Sequence, residues 1–159
     1  MNRLADHGLV SVQEAGNARL YALNRDHIAA PVVLAMTGLR GALFARIRTQ
    51  LASWRVPPVS ALVFGSTARG DGDVESDVDV FLVRPDDVDA DAPGWRAQVS
   101  ELSRAITRWT GNRASMIEVS VAEARAMHER DDPVAIELAR DAVPMTGVPI
   151  GDVFSGQSR

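Results

Sequence analysis

Cysteine and lysine are both missing from this chain of 159 residues. Without cysteine, the chain has no disulfide bonds, no thiolate zinc site, no iron–sulfur cluster and no cysteine nucleophile. All 17 basic residues are arginine, so Schiff-base chemistry and phosphate loops that depend on a lysine are excluded as well. Any chemistry at this protein must therefore use other side chains.

Long apolar stretches are also missing. No run approaches the roughly 20 residues that a bilayer-spanning helix needs, and the first residues lack the apolar stretch of a signal peptide. Hydrophobic residues make up 46% of the chain and charged residues 24%, which suits one packed domain, or one domain with a fragment of another. These features predict a cytoplasmic protein without membrane contact.

Charge is distributed unevenly along the sequence. Residues 1–70 contain eight arginines and three acidic residues, whereas residues 71–159 contain nine arginines and eighteen acidic residues. Nine of those acids lie within residues 71–91, where Arg84 is the one basic residue. A basic first part followed by a dense acidic patch suggests that one part interacts with anions and the other with cations.

The residue pattern predicts four segments. Residues 1–24 combine a helix end with a hairpin. Residues 25–56 carry apolar residues at helical spacing and are expected to form a helical linker. Residues 57–148 alternate strands with helices, and residues 149–159, rich in glycine and serine, are expected to form a flexible tail. Within the third segment we expect strands at 60–64, 77–83 and 114–120, and helices at 95–109, 121–129 and 133–141.

Asp77 and Asp79 are the most informative pair of residues. In a strand, residues two positions apart face the same side, with Cα atoms about 6.5 Å apart. Two carboxylates at that spacing repel each other unless a cation lies between them. Because Mg²⁺ prefers hard oxygen ligands and keeps positions for water and phosphate, the pair is a candidate magnesium site.

Gly65 and Ser66 stand where the first buried strand ends and a helix could begin. Glycine allows a phosphate to approach closely, and backbone N–H groups and the Ser66 hydroxyl can donate to its oxygens. A Gly-Ser pair alone is weak evidence, because most such pairs are ordinary turns. Its value comes from the Asp-x-Asp strand that begins eleven residues after Ser66.

The combined pattern resembles the signature of the polymerase-β-like nucleotidyltransferase superfamily, in particular its minimal members. The segments that carry the resemblance are Gly65-Ser66, Ala68-Arg69-Gly70 and Ser76-Asp77-Val78-Asp79. It covers roughly residues 57–145 and implies an α+β fold, with a small mixed sheet and helices on one side. It also implies a Mg²⁺-dependent, two-metal transfer of a nucleoside monophosphate to a hydroxyl acceptor. The donor would be ATP, giving AMP, or another nucleoside triphosphate.

The resemblance also assigns roles to individual residues. Gly65, Ser66, Arg69 and Ser76 would bind the nucleotide, although Arg69 could instead pair with Asp71 or Asp73 to shape the loop. The family carries a third carboxylate on a later strand, and Glu118 is the one acid in residues 114–120. Glu118 is therefore the candidate third catalytic and metal-binding carboxylate beside Asp77 and Asp79, the alternative being a solvated glutamate on an edge strand.

Three functions remain open at this point. The first is an active enzyme. The resemblance implies that its acceptor could be a small-molecule hydroxyl, a protein side chain or an RNA 3′ end. The second is a DNA-binding regulator whose nucleotidyltransferase domain senses nucleotide without turnover, and the third is a noncatalytic partner subunit. The position of Glu118 relative to Asp77 and Asp79 distinguishes catalysis from sensing.

Residues 1–24 resemble the wing of a winged helix-turn-helix domain. Such a wing is a hairpin that contacts DNA phosphates through a few arginines, and here Arg19 lies near the tip of the hairpin. Sequence is read by a helix in the major groove, and too few residues precede the hairpin to supply that helix. We therefore expect weak, salt-sensitive DNA binding, near the nonspecific range of about 10⁻⁴–10⁻⁶ M. The alternatives are a hairpin packed on the next domain and a contact between two copies of the chain in a homodimer.

Overall fold

The computed structural model describes residues 1–72 and 76–156. The chain divides into two units, Met1–Gly41 and Ala42–Arg159. This boundary falls inside the segment 25–56, which the sequence suggested as a helical linker. Most of the second helix of that segment therefore belongs to the second unit.

The first unit is built around a two-stranded hairpin. Helix α1 (Asn2–Asp6) precedes strands β1 (Val10–Ala15) and β2 (Ala18–Leu23), which pair antiparallel, and helix α2 (Ala30–Met36) follows. Gly16 forms the turn at a φ of +61°, a conformation that favours glycine. Arg19 lies opposite Glu14, and its guanidinium is 3.8 Å from the Glu14 carboxylate. The hairpin has its expected place, whereas its role as a DNA-binding wing stays a prediction.

The second unit alternates helices and strands. Its elements are α3 (Leu39–Ala52, which begins just before the boundary), β3 (Ser60–Phe64), α4 (Gly65–Arg69), β4 (Val78–Arg84), α5 (Pro93–Thr110), β5 (Ala114–Ser120), α6 (Val121–Glu129), α7 (Pro133–Asp141), β6 (Val143–Gly147) and α8 (Ile150–Ser155). The strands form one sheet in the order β5-β4-β3-β6. β4 and β5 run parallel and the other neighbours antiparallel, which confirms the mixed sheet of an α+β fold.

Helices cover both faces of this sheet, and in this respect the expectation of helices on one side is wrong. Ala61 and Val63 pack with residues of α3 and α5, whereas the alternate residues Leu62 and Phe64 pack with residues of α6, α7 and α8. Because successive strand residues face opposite sides, a strand covered on both faces is apolar on both, as β3 is from Ala61 to Phe64. We call the group with Ala61 and Val63 the first core and the group with Leu62 and Phe64 the second core. The first core contains Trp95, whose ring meets Trp54 edge to face at 5.5 Å.

The carboxyl-terminal part is more ordered than its composition suggested. β6 was not anticipated because Pro144 interrupts its strand pattern, but β6 lies at the edge of the sheet, where proline is tolerated. Residues 150–155, expected to belong to a flexible tail, form α8 instead. Its Val153 is buried in the second core, and this burial offsets the low helix propensity of the segment.

Within residues 1–72 and 76–156, no single helix has the length and apolar character needed to cross a membrane. Among the helices of these described ranges, one pair, α2 and α3, reaches that length and composition when taken together. The side chains of Phe44, Ile47 and Leu51 in α3 are buried in the first core of the second unit.

Candidate active site

Asp79 lies against the backbone where β3 ends and α4 begins. In the antiparallel pairing of β3 with β4, Asp79 is opposite Phe64, the residue before Gly65. Gly65 has a φ of +68°, and a Cβ at this position would be 2.5 Å from Oδ2 of Asp79. Glycine is therefore required at position 65 for two reasons, its left-handed backbone and the close approach of the carboxylate.

Asp77 directly precedes β4, and hydrogen bonds to the backbone of residues 76–78 fix its position. The Thr67 hydroxyl donates to the Asp77 carbonyl at 3.4 Å, and the Asn112 side-chain amide donates to the Ser76 carbonyl at 2.7 Å. The N–H of Val78 donates to the Arg113 carbonyl at 2.8 Å. Asn112 was not predicted from the sequence, where the available signal was its place in the turn between a helix and the following strand.

Ser66 and Ser76 are brought together on either side of Gly72. A Cβ at Gly72 would lie 3.0 Å from Oγ of Ser66 and 3.3 Å from Cβ of Ser76. The Ser66 carbonyl also accepts from the N–H groups of Gly70 and Asp71, at 2.8 and 3.2 Å, which closes α4. Both serines that the sequence suggested for nucleotide binding therefore border the same loop, next to the position of Asp77.

The pKa of Asp79 is raised above its usual value. Burial is the main cause, and the negative charges of Asp77 and Glu137 raise this pKa further, while a hydrogen bond with the Ser115 hydroxyl lowers it. Ser115 stands beside Asp79 in the register of β4 and β5. It was missed because the sequence does not reveal which residue of β5 lies opposite Asp79. A cation bound near Asp79 would relieve the cost of burying its charge.

Glu118 is not brought to this pair. In the parallel register, Ser115 lies beside Asp79, whereas Glu118 lies beside Leu82. Glu118 is three residues beyond Ser115, so it is about 10 Å farther along β5 and its side chain is on the opposite face of the sheet. Its Oε2 accepts a hydrogen bond of 2.7 Å from Nε1 of the buried Trp95. The structure thus does not support Glu118 as a third catalytic or metal-binding carboxylate, because a tryptophan of the first core holds its side chain on the other face.

Arg69 is paired with carboxylates. Its Nε is 3.2 Å from Oδ2 of Asp71, and its Nη1 is 2.8 Å from Oε1 of Glu137 and 3.7 Å from Oδ2 of Asp141. The hydrogen bonds to Glu137 and Asp71, in that order, raise the pKa of Arg69. The pairing with Asp71 that the sequence suggested is present, and the suggested contact of Arg69 with the nucleotide stays a prediction. Asp73, the other partner suggested there, lies outside the described residues.

Asp77 and Asp79 supply two hard oxygen donors suited to Mg²⁺. In the described part of the chain, no group of three or more histidine, cysteine, aspartate or glutamate side chains could hold a metal ion. Two carboxylates still fit this metal, because Mg²⁺ commonly binds one or two protein carboxylates and completes its shell with water and phosphate oxygens. The donor set therefore suits a metal that arrives with a phosphate ligand.

The same region matches a known family. The model of the nucleotidyltransferase domain family matches residues 46–139, more than half of the chain. The chain belongs to this family. The match runs from α3 to α7, so Gly65, Ser66, Asp77 and Asp79 lie within the matched nucleotidyltransferase domain.

Two solved structures show a more distant likeness. One is a toxin–antitoxin complex crystallised with AMP-PNP, with 13% identity and a TM-score of 0.48, covering 71% of this chain and 82% of that one. The other is a candidate nucleotidyltransferase from Sulfolobus solfataricus, with 17% identity and a TM-score of 0.33, covering 77% and 90%. A search of the curated proteins gave no match. The family assignment therefore rests on the match to residues 46–139.

Proposed function

We propose that this nucleotidyltransferase binds a Mg²⁺–nucleoside triphosphate at Asp77 and Asp79 and transfers the nucleoside monophosphate, AMP when the donor is ATP, to a hydroxyl acceptor. The observation that carries the proposal is the contact between the Asp79 carboxylate and the Gly65 backbone. This contact supports the proposal because a cation held by Asp79 would lie beside the Gly65-Ser66 turn, which suits a phosphate.

Each residue has a distinct part in this reaction. Asp77 and Asp79 hold the cation, which neutralises charge on the phosphates when bound. Ser66 and the backbone around Gly65 donate hydrogen bonds to phosphate oxygens, with Ser76 on the other side of Gly72. The acceptor oxygen forms a bond to the α-phosphorus as the bond to the β-phosphate oxygen breaks, so pyrophosphate leaves and the hydroxyl proton passes to a base.

A transfer assay tests this function directly. The full chain is incubated with ATP labelled at the α-phosphate, Mg²⁺ and cell extract, and labelled macromolecules and small molecules are separated. We expect a labelled product that disappears with EDTA and in Asp77→Asn, and that persists in the control Asp87→Asn, which makes the same change at an exposed acid. Equal labelling in Asp77→Asn and the wild type would reject the proposal.

A second candidate function is nucleotide sensing without transfer. The position of Glu118 favours it, because the expected third carboxylate faces Trp95 and not the aspartate pair. Sensing predicts metal-dependent nucleotide binding in calorimetry together with no labelled product in any extract fraction. The two measurements therefore separate the candidates.

A further inference from the structure

The guanidinium of Arg69 joins two helices of the second unit. Arg69 is the last residue of α4, and Glu137 lies in the middle of α7, 68 positions later in the chain. Their hydrogen bond of 2.8 Å is shorter than the bond from Arg69 to its sequence neighbour Asp71, at 3.2 Å. Glu137 is therefore the partner that connects α4 to a distant part of the fold.

Helix α7 is a firm support for this bond. The Asp132 carboxylate accepts from the N–H of Val134 at 2.9 Å and caps the helix, and Pro133 occupies the first turn. Ala135 and Leu138 are buried, and α7 packs against both β3 and α4. The backbone that carries Glu137 is thus fixed by its cap and by the core.

Helix α4 transmits the position of Arg69 to the candidate site. It has five residues, so its two ends are about 6 Å apart along the axis. Its first residue, Gly65, lies against the Asp79 carboxylate, and its second is Ser66. A shift of Arg69 therefore moves the turn that we propose for phosphate binding.

The neighbouring acid Asp141 is less suited to this role. Its Oδ2 is 2.8 Å from Nη2 of Arg140 and 3.7 Å from Arg69. Asp141 thus bonds mainly within its own helix, whereas the Glu137 carboxylate meets Arg69 directly. This difference selects Glu137 as the anchor of α4.

We propose that Glu137 is a positioning residue of the nucleotide site: by binding Arg69 it holds α4 so that the Gly65-Ser66 turn stays against Asp79. The inference rests on the proposed nucleotide binding at Asp77 and Asp79. It assigns Glu137 no contact with the substrate. Its effect on the position of α4 passes through Arg69 and is separate from the direct effect of its charge on Asp79.

A double-mutant cycle on the full chain tests this role. Calorimetry measures the Kd for Mg²⁺–ATP in the wild type, Glu137→Gln, Arg69→Met and the double variant, well below each melting temperature. We expect Glu137→Gln to raise Kd on the order of tenfold, and to add nothing further in the Arg69→Met background. Glu137→Asp, which keeps the charge but shortens the reach, should give an intermediate Kd.

Glu101→Gln is the matched control, since Glu101 is also paired with arginines, at 2.9 and 3.0 Å, but lies on α5. Its Kd should equal that of the wild type. An unchanged or lower Kd in Glu137→Gln would overturn the inference, even with a lower Tm, and so would a tenfold effect that persists without Arg69. Absence of binding in the wild type would instead reject the proposed function itself.

Discussion

The start of β4 and the middle of β5 each carry an acidic residue among apolar ones, yet the two residues have different tasks. Asp79 lies against Gly65, near Asp77 and Glu137, and its pKa is raised by burial and by those charges. Glu118 accepts a hydrogen bond from the buried Trp95 on the other face of the sheet. One acid carries an unfavourable charge at a candidate cation site, and the other satisfies a buried donor.

Under the proposed function, one of these acids serves binding and the other serves stability within the same sheet. An N–H buried without a partner costs about 1–3 kcal/mol, so Glu118 stabilises the fold by accepting from Trp95. Ionised Asp79 lowers stability because its pKa is raised, which is typical of functional carboxylates. Under the proposed function, a bound cation would offset this cost. The two residues should therefore respond in opposite ways to substitution.

The largest expected effect is on nucleotide binding at the aspartate pair. Asp77→Asn and Asp79→Asn each remove one negative charge without changing side-chain size, so Mg²⁺–ATP affinity should fall at least tenfold, about 1.4 kcal/mol. Calorimetry measures it, with Asp87→Asn as the control. Wild-type affinity in both variants would show that the metal is held elsewhere.

The next effect concerns the glycine that Asp79 contacts. Gly65→Ala places a Cβ against the carboxylate and a side chain at positive φ, which costs about 1–2 kcal/mol from the backbone alone. We expect lower stability and weaker Mg²⁺–ATP binding together. Gly94→Ala in α5, where a Cβ would meet no atom within 4 Å, should leave binding unchanged. Equal behaviour of the two variants would contradict the close approach described at Gly65.

The Glu118 side should show an effect on stability and none on nucleotide binding. Glu118→Ala leaves the Trp95 N–H without its partner and should lower the free energy of unfolding by about 1–3 kcal/mol. Mg²⁺–ATP affinity and any transfer rate should stay at the wild-type level. Denaturant unfolding measures the first quantity and calorimetry with the labelling assay the others. A large loss of transfer in a folded Glu118→Ala variant would restore Glu118 to the site.

The smallest effect is a gain in stability. Because the folded-state pKa of Asp79 is raised, its ionised form costs stability at neutral pH, and this cost disappears as pH falls through that pKa. Without Mg²⁺, Asp79→Asn should therefore melt at a higher temperature than the wild type at pH 7, with the difference closing in acid. A lower melting temperature for the variant at pH 7 would mean that the Asp79 charge is stabilised in the fold.

Most helices and strands could be predicted from the sequence, and so could the proximity of the Gly65-Ser66 turn to the strand that carries Asp79. Strands 60–64 and 114–120 and helices 121–129 and 133–141 have their expected bounds, because their periodicity and turn residues are strong. The approach of Gly65 to Asp79 follows from a glycine at the strand end and an aspartate on the next strand. These signals are local, or span only one hairpin-like connection.

The remaining features depend on register and long-range packing. Whether Ser115 or Glu118 lies beside Asp79 is decided by the pairing of β4 with β5, which no local pattern reveals. The bond from Arg69 to Glu137 joins residues 68 positions apart. Helix α8 likewise forms because Val153 finds a buried place in the core, not because of its own composition.

The aromatic residues give the two units separate optical signatures. All three tryptophans, at positions 54, 95 and 109, belong to the second unit, while the single tyrosine, Tyr21, lies in β2 of the first. Emission excited at the red edge of the absorption band should thus report unfolding of the nucleotidyltransferase unit alone. Trp95 donates to a carboxylate and meets Trp54 edge to face. Its emission should therefore also change when the packing of the first core changes.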